Sequence, residues 1–416
     1  AQRRGGRGKS ATSMKEDDYI QHLIVTSNHA TVLCFTNVGK VYRLKVYDVP
    51  QASRGAKGRP MVNLLPLDAN ETITAILPVI DAPKKFKDRL VDFQAFVKAN
   101  KAKLQENEII NAHFVELEAA LAELEDGAND LSDALRIQLK QLGIELSGTD
   151  LDDDIINDFA QQAEAVRKNF YVFMATEYGT IKRVELEQFS NVRSNGLRAL
   201  ELNGDDRLIG VAITDGEQQI MLFSNEGKAI RFAETDVRSM GRSAKGVRGM
   251  RVTIGASQVE ENEENDVDVE DEDNSDSVVI SRIVSLVVVP ETGEVLCASE
   301  HGYGKRTPVD DFPTKKRGGK GVIALKTSER NGELIGAVSI DASKELMLIS
   351  DGGTLVRTRA SEVAQTGRNA QGVRLIRLSN DELLVGVVSV DAVEDEELID
   401  ALEGEEVTAS ESVIDF

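Results

Sequence analysis

The sequence is organised by a unit of about fifty residues that recurs along the chain. Its clearest mark is a basic loop that ends in glycine, and successive loop glycines are separated by 50, 138, 50, 75 and 51 residues. Because residues 81–169 and 256–280 fall within the two long intervals, the underlying period is near fifty, which indicates a repeat architecture. The loop glycines are Gly8, Gly58, Gly196, Gly246, Gly321 and Gly372.

Each unit carries the pattern of short β-strands. A turn containing glycine lies between two apolar runs, which predicts a β-hairpin because glycine tolerates the positive φ that such turns need. Five hairpin turns of this kind are present, within residues 37–43, 177–183, 225–231, 301–306 and 351–357. A further apolar strand closes each unit, and six of these occur, at residues 19–25, 72–77, 207–213, 282–288, 333–340 and 382–390.

Four strands per unit, repeated six times, predict an all-β fold in which the units form a propeller-like ring of six blades. Since there are six closing strands but five hairpins, we expect the sixth hairpin to lie upstream of Ala1, in a longer polypeptide. The alternative is a set of β-sandwiches whose spacing coincides. The repeats occupy residues 1–80, 170–255 and 281–392.

Three segments depart from the repeat. Residues 81–169 show helical periodicity and predict a small helical bundle between two blades, either a partner-binding module or a tolerated surface insertion. Residues 256–280 and 393–416 are acidic and aperiodic, and they are predicted to be disordered. For both acidic segments, competition with a polyanion for the basic loops is one interpretation and solubility is the other. The predicted apolar faces of the helices contain Phe86, Leu90, Phe93 and Val97; Ile110, Phe114, Leu117, Leu121 and Leu124; Leu131, Leu135 and Leu142; and Ile155, Phe159, Ala163 and Val166.

The net charge of −22 is concentrated in these three segments. They carry −8, −11 and −10, so the remaining body of the chain carries +7. Electrostatic attraction to a partner depends on the local charge, and a basic body is compatible with a polyanionic partner. Aromatic residues make up 5% of the chain and there is no Trp, so stacking of splayed single-stranded bases is not favoured.

The basic loops recur at the same point of each blade, so in a ring they would share one perimeter. Such a belt suits duplex DNA held through its phosphates. Solvated turns without a ligand are the alternative. The candidate DNA contacts in the loops are Arg54, Lys57, Arg59, Arg193, Arg242, Lys245, Arg248, Lys315, Lys316, Arg317, Lys320 and Arg368. The candidates on the strand that follows each hairpin turn are Lys40, Arg43, Lys45, Lys182, Arg183, Lys228, Arg231, Lys305, Arg306, Arg357 and Arg359.

The densest basic loop is at the N-terminus, where Gln2, Arg3, Arg4, Gly5, Gly6, Arg7 and Gly8 are followed by Lys9. The seven residues 2–8 resemble the hallmark box of the C-terminal domain of the DNA gyrase A subunit. The resemblance extends over residues 1–80, 170–255 and 281–392. It implies a six-bladed β-pinwheel whose blades exchange strands and which wraps duplex DNA with one handedness, so that the holoenzyme introduces negative supercoils using ATP. The related topoisomerase IV subunit usually lacks an intact box, so it is the less favoured alternative.

Within that resemblance we expect Arg3, Arg4 and Arg7 to hold DNA across the junction of the first and last blades. We expect this part of the enzyme to be non-catalytic, because none of the six tyrosines follows an arginine as the DNA-cleaving tyrosine of these enzymes does. No cofactor is expected here; ATP and Mg²⁺ would act elsewhere in the holoenzyme. The implied partners are duplex DNA, the rest of the gyrase A subunit, plus the gyrase B subunit, in an assembly of two A and two B subunits.

Two cysteines far apart in sequence, Cys34 and Cys297, favour a reducing compartment. No apolar run is long enough to span a bilayer, so we expect no membrane partner and a cytoplasmic location at the nucleoid. The rival functions are a propeller that recruits proteins and a propeller hydrolase. The hydrolase would need converging carboxylates or a metal site in the central channel, and no repeat-aligned acidic constellation supports it.

Overall fold

The computed structural model describes residues 26–51, 59–79, 86–122, 133–146, 154–167, 169–253, 281–290, 293–341, 343–379 and 382–390. In this part of the chain there are nineteen strands, arranged in five antiparallel sheets, and five α-helices. The predicted N-terminal strand at 19–25 and both acidic segments lie outside the described residues.

The strands follow the predicted order of hairpin, loop and closing strand. In chain order they are β1 (Thr31–Thr36), β2 (Lys40–Lys45), β3 (Ile73–Val79), β4 (Tyr171–Thr176), β5 (Thr180–Glu185), β6 (Leu197–Arg198), β7 (Leu208–Thr214), β8 (Gln219–Ser224), β9 (Lys228–Ala233), β10 (Val247–Arg248), β11 (Ile283–Val289), β12 (Glu294–Ser299), β13 (Tyr303–Pro308), β14 (Val322–Ile323), β15 (Leu334–Ile340), β16 (Glu345–Ser350), β17 (Leu355–Arg359), β18 (Val373–Arg374) and β19 (Leu384–Val390).

Each sheet is one blade, numbered here by its hairpin: β1–β2, β4–β5, β8–β9, β12–β13 and β16–β17. The closing strand of the same unit pairs with the first hairpin strand, as β3 pairs with β1. In blades 1 to 4 the second hairpin strand pairs with a two-residue strand from the next unit, as β2 pairs with β6. The blades therefore exchange strands, as the resemblance implied. Neighbouring closing strands pack against one another, so they line the inside of the ring and the two-residue strands lie at its outer rim.

The hydrophobic core lies between neighbouring blades. Side chains alternate between the two faces of a strand, so a strand buried on both faces contributes to two interfaces. On β4, Val172 and Met174 pack towards blade 1 together with Phe35, whereas Phe173 and Ala175 pack towards blade 3. Similar clusters join blades 3 and 4 and blades 4 and 5. This double burial explains why the first hairpin strands are apolar at nearly every position.

Close approach of consecutive units explains the glycine spacing. The hairpin glycine Gly227 has φ +76°, and a Cβ there would lie 2.1 Å from the Leu325 carbonyl oxygen of the next unit. The loop glycine Gly321 has φ +79°, and its Cβ would lie 2.5 Å from the Ala229 oxygen. Only glycine satisfies both the positive φ and the contact.

The predicted helical insertion is confirmed within the described residues. Its helices are α1 (Phe86–Ala99), α2 (Lys101–Leu104), α3 (Glu108–Ala122), α4 (Asp133–Leu146) and α5 (Asp154–Arg167). Their apolar faces form a core built from insertion residues alone. On α5 the fully buried position is Ile156 and not the predicted Ile155, which is partly buried. No described helix is long and apolar enough to cross a membrane.

Candidate nucleic-acid interface

In the described part of the chain, the outer rim of the ring is formed by four equivalent loops. We call residues 190–201, 238–251, 313–326 and 364–377 the rim loops. Each follows a hairpin of its own unit, runs along the second hairpin strand of the preceding blade, and ends in the two-residue strand that pairs with it. At that end, two N–H groups donate to the carbonyl of the preceding hairpin glycine; Ala324 and Leu325, for example, donate to Gly227 at 2.8 and 3.0 Å.

Backbone hydrogen bonds join each rim loop to the next. They connect the second to the third unit, the third to the fourth and the fourth to the fifth, so the loops form one continuous band. The N···O pairs, donor first, are Glu201 and Ala244 (3.5 Å), Gly318 and Gly249 (2.6 Å), Arg251 and Gly319 (2.9 Å), and Lys326 and Ala370 (3.2 Å).

The rim loops contain fifteen lysines and arginines and one acidic residue, Glu201. Twelve of the basic side chains are exposed, and Arg242, Arg317 and Arg368 are half-buried. A band of predominantly positive charge held on a rigid scaffold is the electrostatic footprint of a polyanion-binding protein. The fifteen residues are Arg193, Arg198, Arg238, Arg242, Lys245, Arg248, Arg251, Lys315, Lys316, Arg317, Lys320, Lys326, Arg368, Arg374 and Arg377.

The acidic residues of the blades lie beside this band. Each of the five short 3₁₀ turns that follow the hairpins contains at least one acidic residue, such as Asp236 or Asp310. On the opposite side of the blades, the hairpin turns contain Glu177, Glu226 and Asp351. The rim thus carries a dense band of positive charge, with negative charge on both sides of it.

The structure places several predicted DNA contacts inside the ring, and these are corrected here. Lys182 and Lys305, on β5 and β13, are 0% exposed. The Lys182 ammonium donates to the Ala199 and Arg242 carbonyl oxygens at 2.9 and 2.6 Å. Lys305 donates to the Gly367 oxygen at 2.6 Å and to the Arg368 oxygen. Burial lowers the pKa of each lysine to about 8.

The arginine that follows on each of these strands joins blades in a similar way. Arg231 donates to the Val309 and Phe312 carbonyl oxygens at 2.8 and 3.2 Å. Arg306 donates to the Val363 oxygen at 2.9 Å and to Glu294 at 2.6 Å. Arg183 is 9% exposed and lies 3.6 Å from Glu234. These side chains therefore hold the start of the next unit's rim loop and lie within the ring, not on the outer surface of the rim.

The remaining predicted contacts, which are the other strand positions and the loop residue Arg59, lie in different environments. Lys40 pairs with Asp68 at 2.5 Å, and this hydrogen bond raises the pKa of the lysine. Lys228 is exposed and pairs with Glu226 at 2.9 Å. Arg357 pairs with Glu345. Arg43, Arg59 and Arg359 are exposed and Lys45 is half-buried, and none of the four belongs to a rim loop. The box residues Gln2–Lys9, and Arg54 and Lys57, lie outside the described residues.

The sequence interpretation also missed six rim residues. Its loop motif ended at the loop glycine, whereas the two-residue strand and the residues after it continue the basic band. A second repeat signal was present: after each of the last three loop glycines a basic residue occurs at the fifth position, as Arg251, Lys326 and Arg377. The missed residues are Arg198, Arg238, Arg251, Lys326, Arg374 and Arg377.

Comparison with known proteins addresses the same repeats. The family described as the DNA gyrase C-terminal domain, beta-propeller, matches six segments, at residues 1–27, 30–80, 171–215, 218–264, 293–341 and 344–391. The chain belongs to this family. The six matched segments confirm the predicted six repeats, and residues 81–170, which contain the helical insertion, lie outside them.

Relatives of this family in other bacteria support the assignment. The DNA gyrase A subunit of Pseudomonas aeruginosa is 44% identical over 413 residues, covering 99% of this chain and 37% of the relative. The protein of the same name from Haemophilus influenzae is 42% identical over 404 residues, covering 96% and 36%. The chain thus spans little more than a third of the length of these relatives.

Solved structures show the same fold. A structure of the DNA gyrase A C-terminal domain has a TM-score of 0.60 with 20% identity, covering 93% of this chain and 92% of the other. A crystal structure of the C-terminal domain of DNA topoisomerase IV has a TM-score of 0.56 with 18% identity, covering 91% and 85%. The close sequence relatives named above are gyrase subunits, so the gyrase assignment is favoured over topoisomerase IV.

Proposed function

We propose that this chain binds duplex DNA along its rim loops and wraps it with one handedness, as the C-terminal domain of a gyrase A subunit. The observation that carries the proposal is the continuous band of fifteen basic residues with a single acidic residue, Glu201. Regularly placed cations without aromatic platforms hold DNA by its phosphates and are indifferent to sequence. The acidic turns on both sides would repel DNA that leaves the rim.

Wrapping requires many contacts, because bending 20–30 base pairs by 40–90° costs on the order of 1–6 kcal/mol. Contacts spread over several blades can offset that cost. If about 6–10 phosphates are neutralised, affinity should fall by roughly 10³–10⁵ between 50 and 200 mM salt.

The N-terminal box completes the proposal. In the described part of the chain, β17 of blade 5 has no two-residue partner strand of the kind that β2, β5, β9 and β13 have. We propose that Arg3, Arg4 and Arg7 hold DNA at the junction between the first and last blades, with Gly5, Gly6 and Gly8 shaping that loop. Loss of these arginines should open the wrap more than loss of three charges elsewhere.

We further propose that this part of the enzyme performs no chemistry and uses no cofactor. DNA cleavage would take place in the rest of the A subunit, whereas ATP hydrolysis, with Mg²⁺, would take place in the B subunit. The complete enzyme would be a cytoplasmic assembly of two A and two B subunits on the nucleoid. The five described closing strands, which line the inside of the ring, contain no ionisable side chain. This does not favour a propeller hydrolase with a site in the channel.

The test is a salt titration of binding to a long linear duplex. Replacing Lys315, Lys316 and Lys320 by Ala should reduce the slope of log affinity against log salt by about 3, or one per lost phosphate contact. The matched control replaces three basic residues off the rim, Arg207, Lys228 and Arg282, by Ala and should leave the slope nearly unchanged. Equal effects of the two triple variants would contradict the proposal, and salt-insensitive binding would favour a protein-recruiting propeller.

A further inference from the structure

Two lysines inside the ring hold the backbone of residues that face outward. Lys182 and Lys305 occupy the same position in the repeat, the third residue of the segment that follows the hairpin glycine. In blades 1, 3 and 5 that position is apolar or aromatic: Tyr42, Ile230 and Val356, which are also buried. The lysines are therefore not a general requirement of the repeat, and a neutral side chain fills the same space in three blades.

All four carbonyl groups that the lysines contact belong to rim loops, and two of them belong to the rim arginines Arg242 and Arg368. Lys182 donates to the Arg242 oxygen at 2.6 Å, and through the Ala199 oxygen it also contacts the rim loop that precedes it. Lys305 contacts the carbonyls of Gly367 and Arg368 in the last described rim loop. Both arginines are half-buried, so the position of their backbone determines how far each guanidinium extends from the rim.

Placing an ammonium group among other cations inside a protein is unfavourable unless the geometry compensates. Burial and the nearby Arg242 charge both disfavour the charged form of Lys182. Charge-assisted hydrogen bonds to carbonyls are stronger and shorter than neutral ones, and two of them fix a loop more firmly than an apolar contact does. In blades 1 and 3 the equivalent contact is packing: the Tyr42 ring lies beside Gly196, and Ile230 lies beside Gly319.

We propose that Lys182 and Lys305 are positioning residues that fix the rim loops of the third and fifth units, so that Arg242 and Arg368 are held in a fixed position for contact with DNA. The proposal rests on the proposed function for its role in DNA wrapping. The loop-fixing part stands independently of it and can be measured without DNA.

The first experiment is lysine acetylation of the intact chain, read by mass spectrometry with and without duplex DNA. Lys182 and Lys305 should be protected in both conditions, whereas the exposed rim lysines Lys245 and Lys320 should react in the free protein and be protected by DNA. If Lys182 is acetylated in the free protein and DNA protects it, the proposal is overturned. Failure of DNA to protect Lys245 and Lys320 would instead contradict the proposed function and leave the loop-fixing claim standing.

The second experiment separates positioning from contact. In Lys182→Met, amide exchange over residues 241–246 should accelerate by about tenfold, as expected for the loss of a charge-assisted hydrogen bond. The variant should keep the wild-type salt slope but give a smaller wrap-dependent linking difference on ligated plasmid. The control Lys245→Met should lower the slope by about one and leave amide exchange unchanged. Lys182→Gln, which keeps one donor, should fall between wild type and Lys182→Met and is the variant to use if methionine prevents folding.

A Lys182 variant that lowers the salt slope as Lys245→Met does, with unchanged amide exchange, would show that Lys182 contacts phosphate and would overturn the proposal. Lys305→Met should behave as Lys182→Met does, but at residues 367–372.

Discussion

The rim loops and the second hairpin strands are both rich in lysine and arginine, yet the structure gives them different environments. Lys245 and Lys320 in the loops are exposed, whereas Lys305 and Arg306 on β13 are buried or nearly so. The strand residues lie between one blade and the loop of the next, and the loop residues lie beyond that contact. Basic residues in this repeat therefore occupy two separate environments, one within the ring and one at its surface.

The comparison shows that the position of a lysine or arginine in the repeat, and not the local charge of its segment, determines whether its side chain is buried or exposed. A second hairpin strand is covered by the rim loop of the following unit, and its cations satisfy backbone carbonyls there. Most of the loop cations are exposed and remain available to a ligand, whereas Arg242, Arg317 and Arg368 are half-buried.

The largest effect should come from removing a strand arginine. Arg306→Met leaves Glu294 without its ion pair and the Val363 carbonyl without its donor, and both ionic side chains are less than one-fifth exposed. Loss of one partner of a buried pair costs about 3–5 kcal/mol of the free energy of unfolding. Urea unfolding should show this loss, whereas the control Lys320→Met should stay within about 0.5 kcal/mol of wild type. Similar losses of unfolding free energy in Arg306→Met and Lys320→Met would contradict the difference between strand and loop cations.

The next effect should come from the hairpin glycine that meets the rim loop. Gly227→Ala forces an L-residue to φ +76°, which costs roughly 1–2 kcal/mol, and brings its Cβ against the Leu325 carbonyl oxygen, so the total loss should exceed that figure. In the rim loop itself, a Cβ at Gly241 meets nothing within 4 Å. Gly241→Ala should therefore leave the midpoint of thermal unfolding almost unchanged. If Gly241→Ala destabilises the fold as much as Gly227→Ala, the rim loop is more constrained than its surroundings indicate.

A smaller effect should appear with pH. The pKa of Lys182 and Lys305 is about 8 in the fold and about 10.4 in the unfolded chain. Between these two pKa values the unfolded chain binds more protons than the folded chain, so the free energy of unfolding rises with pH. Stability is lowest below pH 8, where both lysines are charged in the fold. Relative to the double variant Lys182→Met/Lys305→Met, wild type should gain on the order of 1 kcal/mol per lysine from pH 7.5 to 9.5.

That pH dependence is measured by urea unfolding of both proteins at matched ionic strength. The double variant corrects for other groups that titrate in the same range, including the tyrosines. A difference between the proteins that is constant with pH would indicate that these lysines have ordinary pKa values and are hydrated.

The smallest effect should follow removal of the helical insertion. Among the described residues its core is made of its own side chains, and the Arg167–Glu217 pair at 2.8 Å ties it to the ring. Replacing residues 86–167 by a short Gly-Ser linker should change ring stability by about 1 kcal/mol or less, as expected for a partly exposed ion pair. A large drop in the thermal midpoint of the ring would show that the insertion supports blade 2.

Much of the fold was predictable from the sequence because the repeat constrains it so strongly. Glycines such as Gly227 and Gly321 are required where the backbones of two units approach closely. They therefore recur at the repeat period even where the surrounding side chains differ. Alternating apolar strands gave the hairpins and the closing strands to within one or two residues. The helical insertion was predictable from its own helical periodicity, because the apolar faces of its helices pack against one another.

The interface was less predictable because burial by a neighbouring unit leaves no mark in the local sequence. Lys182-Arg183 and Lys315-Lys316 are both basic pairs, but the first is covered by the rim loop of the next unit and the second is not. Strand exchange causes this, since the residues that cover Lys182 include Arg242, sixty positions away. The missed Arg374 lies on the two-residue strand after the loop glycine, beyond the end of the loop motif.

The measurement that tests the account most directly is ligation of nicked plasmid with increasing amounts of protein, followed by deproteinisation and two-dimensional gels. Wild type should shift the linking number in the positive direction in proportion to bound protein. The shift should be lost when Arg3, Arg4 and Arg7 are changed to Ala, and reduced when Lys315, Lys316 and Lys320 are changed to Ala. Saturated binding by wild type without any shift in linking number, or a full shift in both variants, would contradict chiral wrapping on the rim.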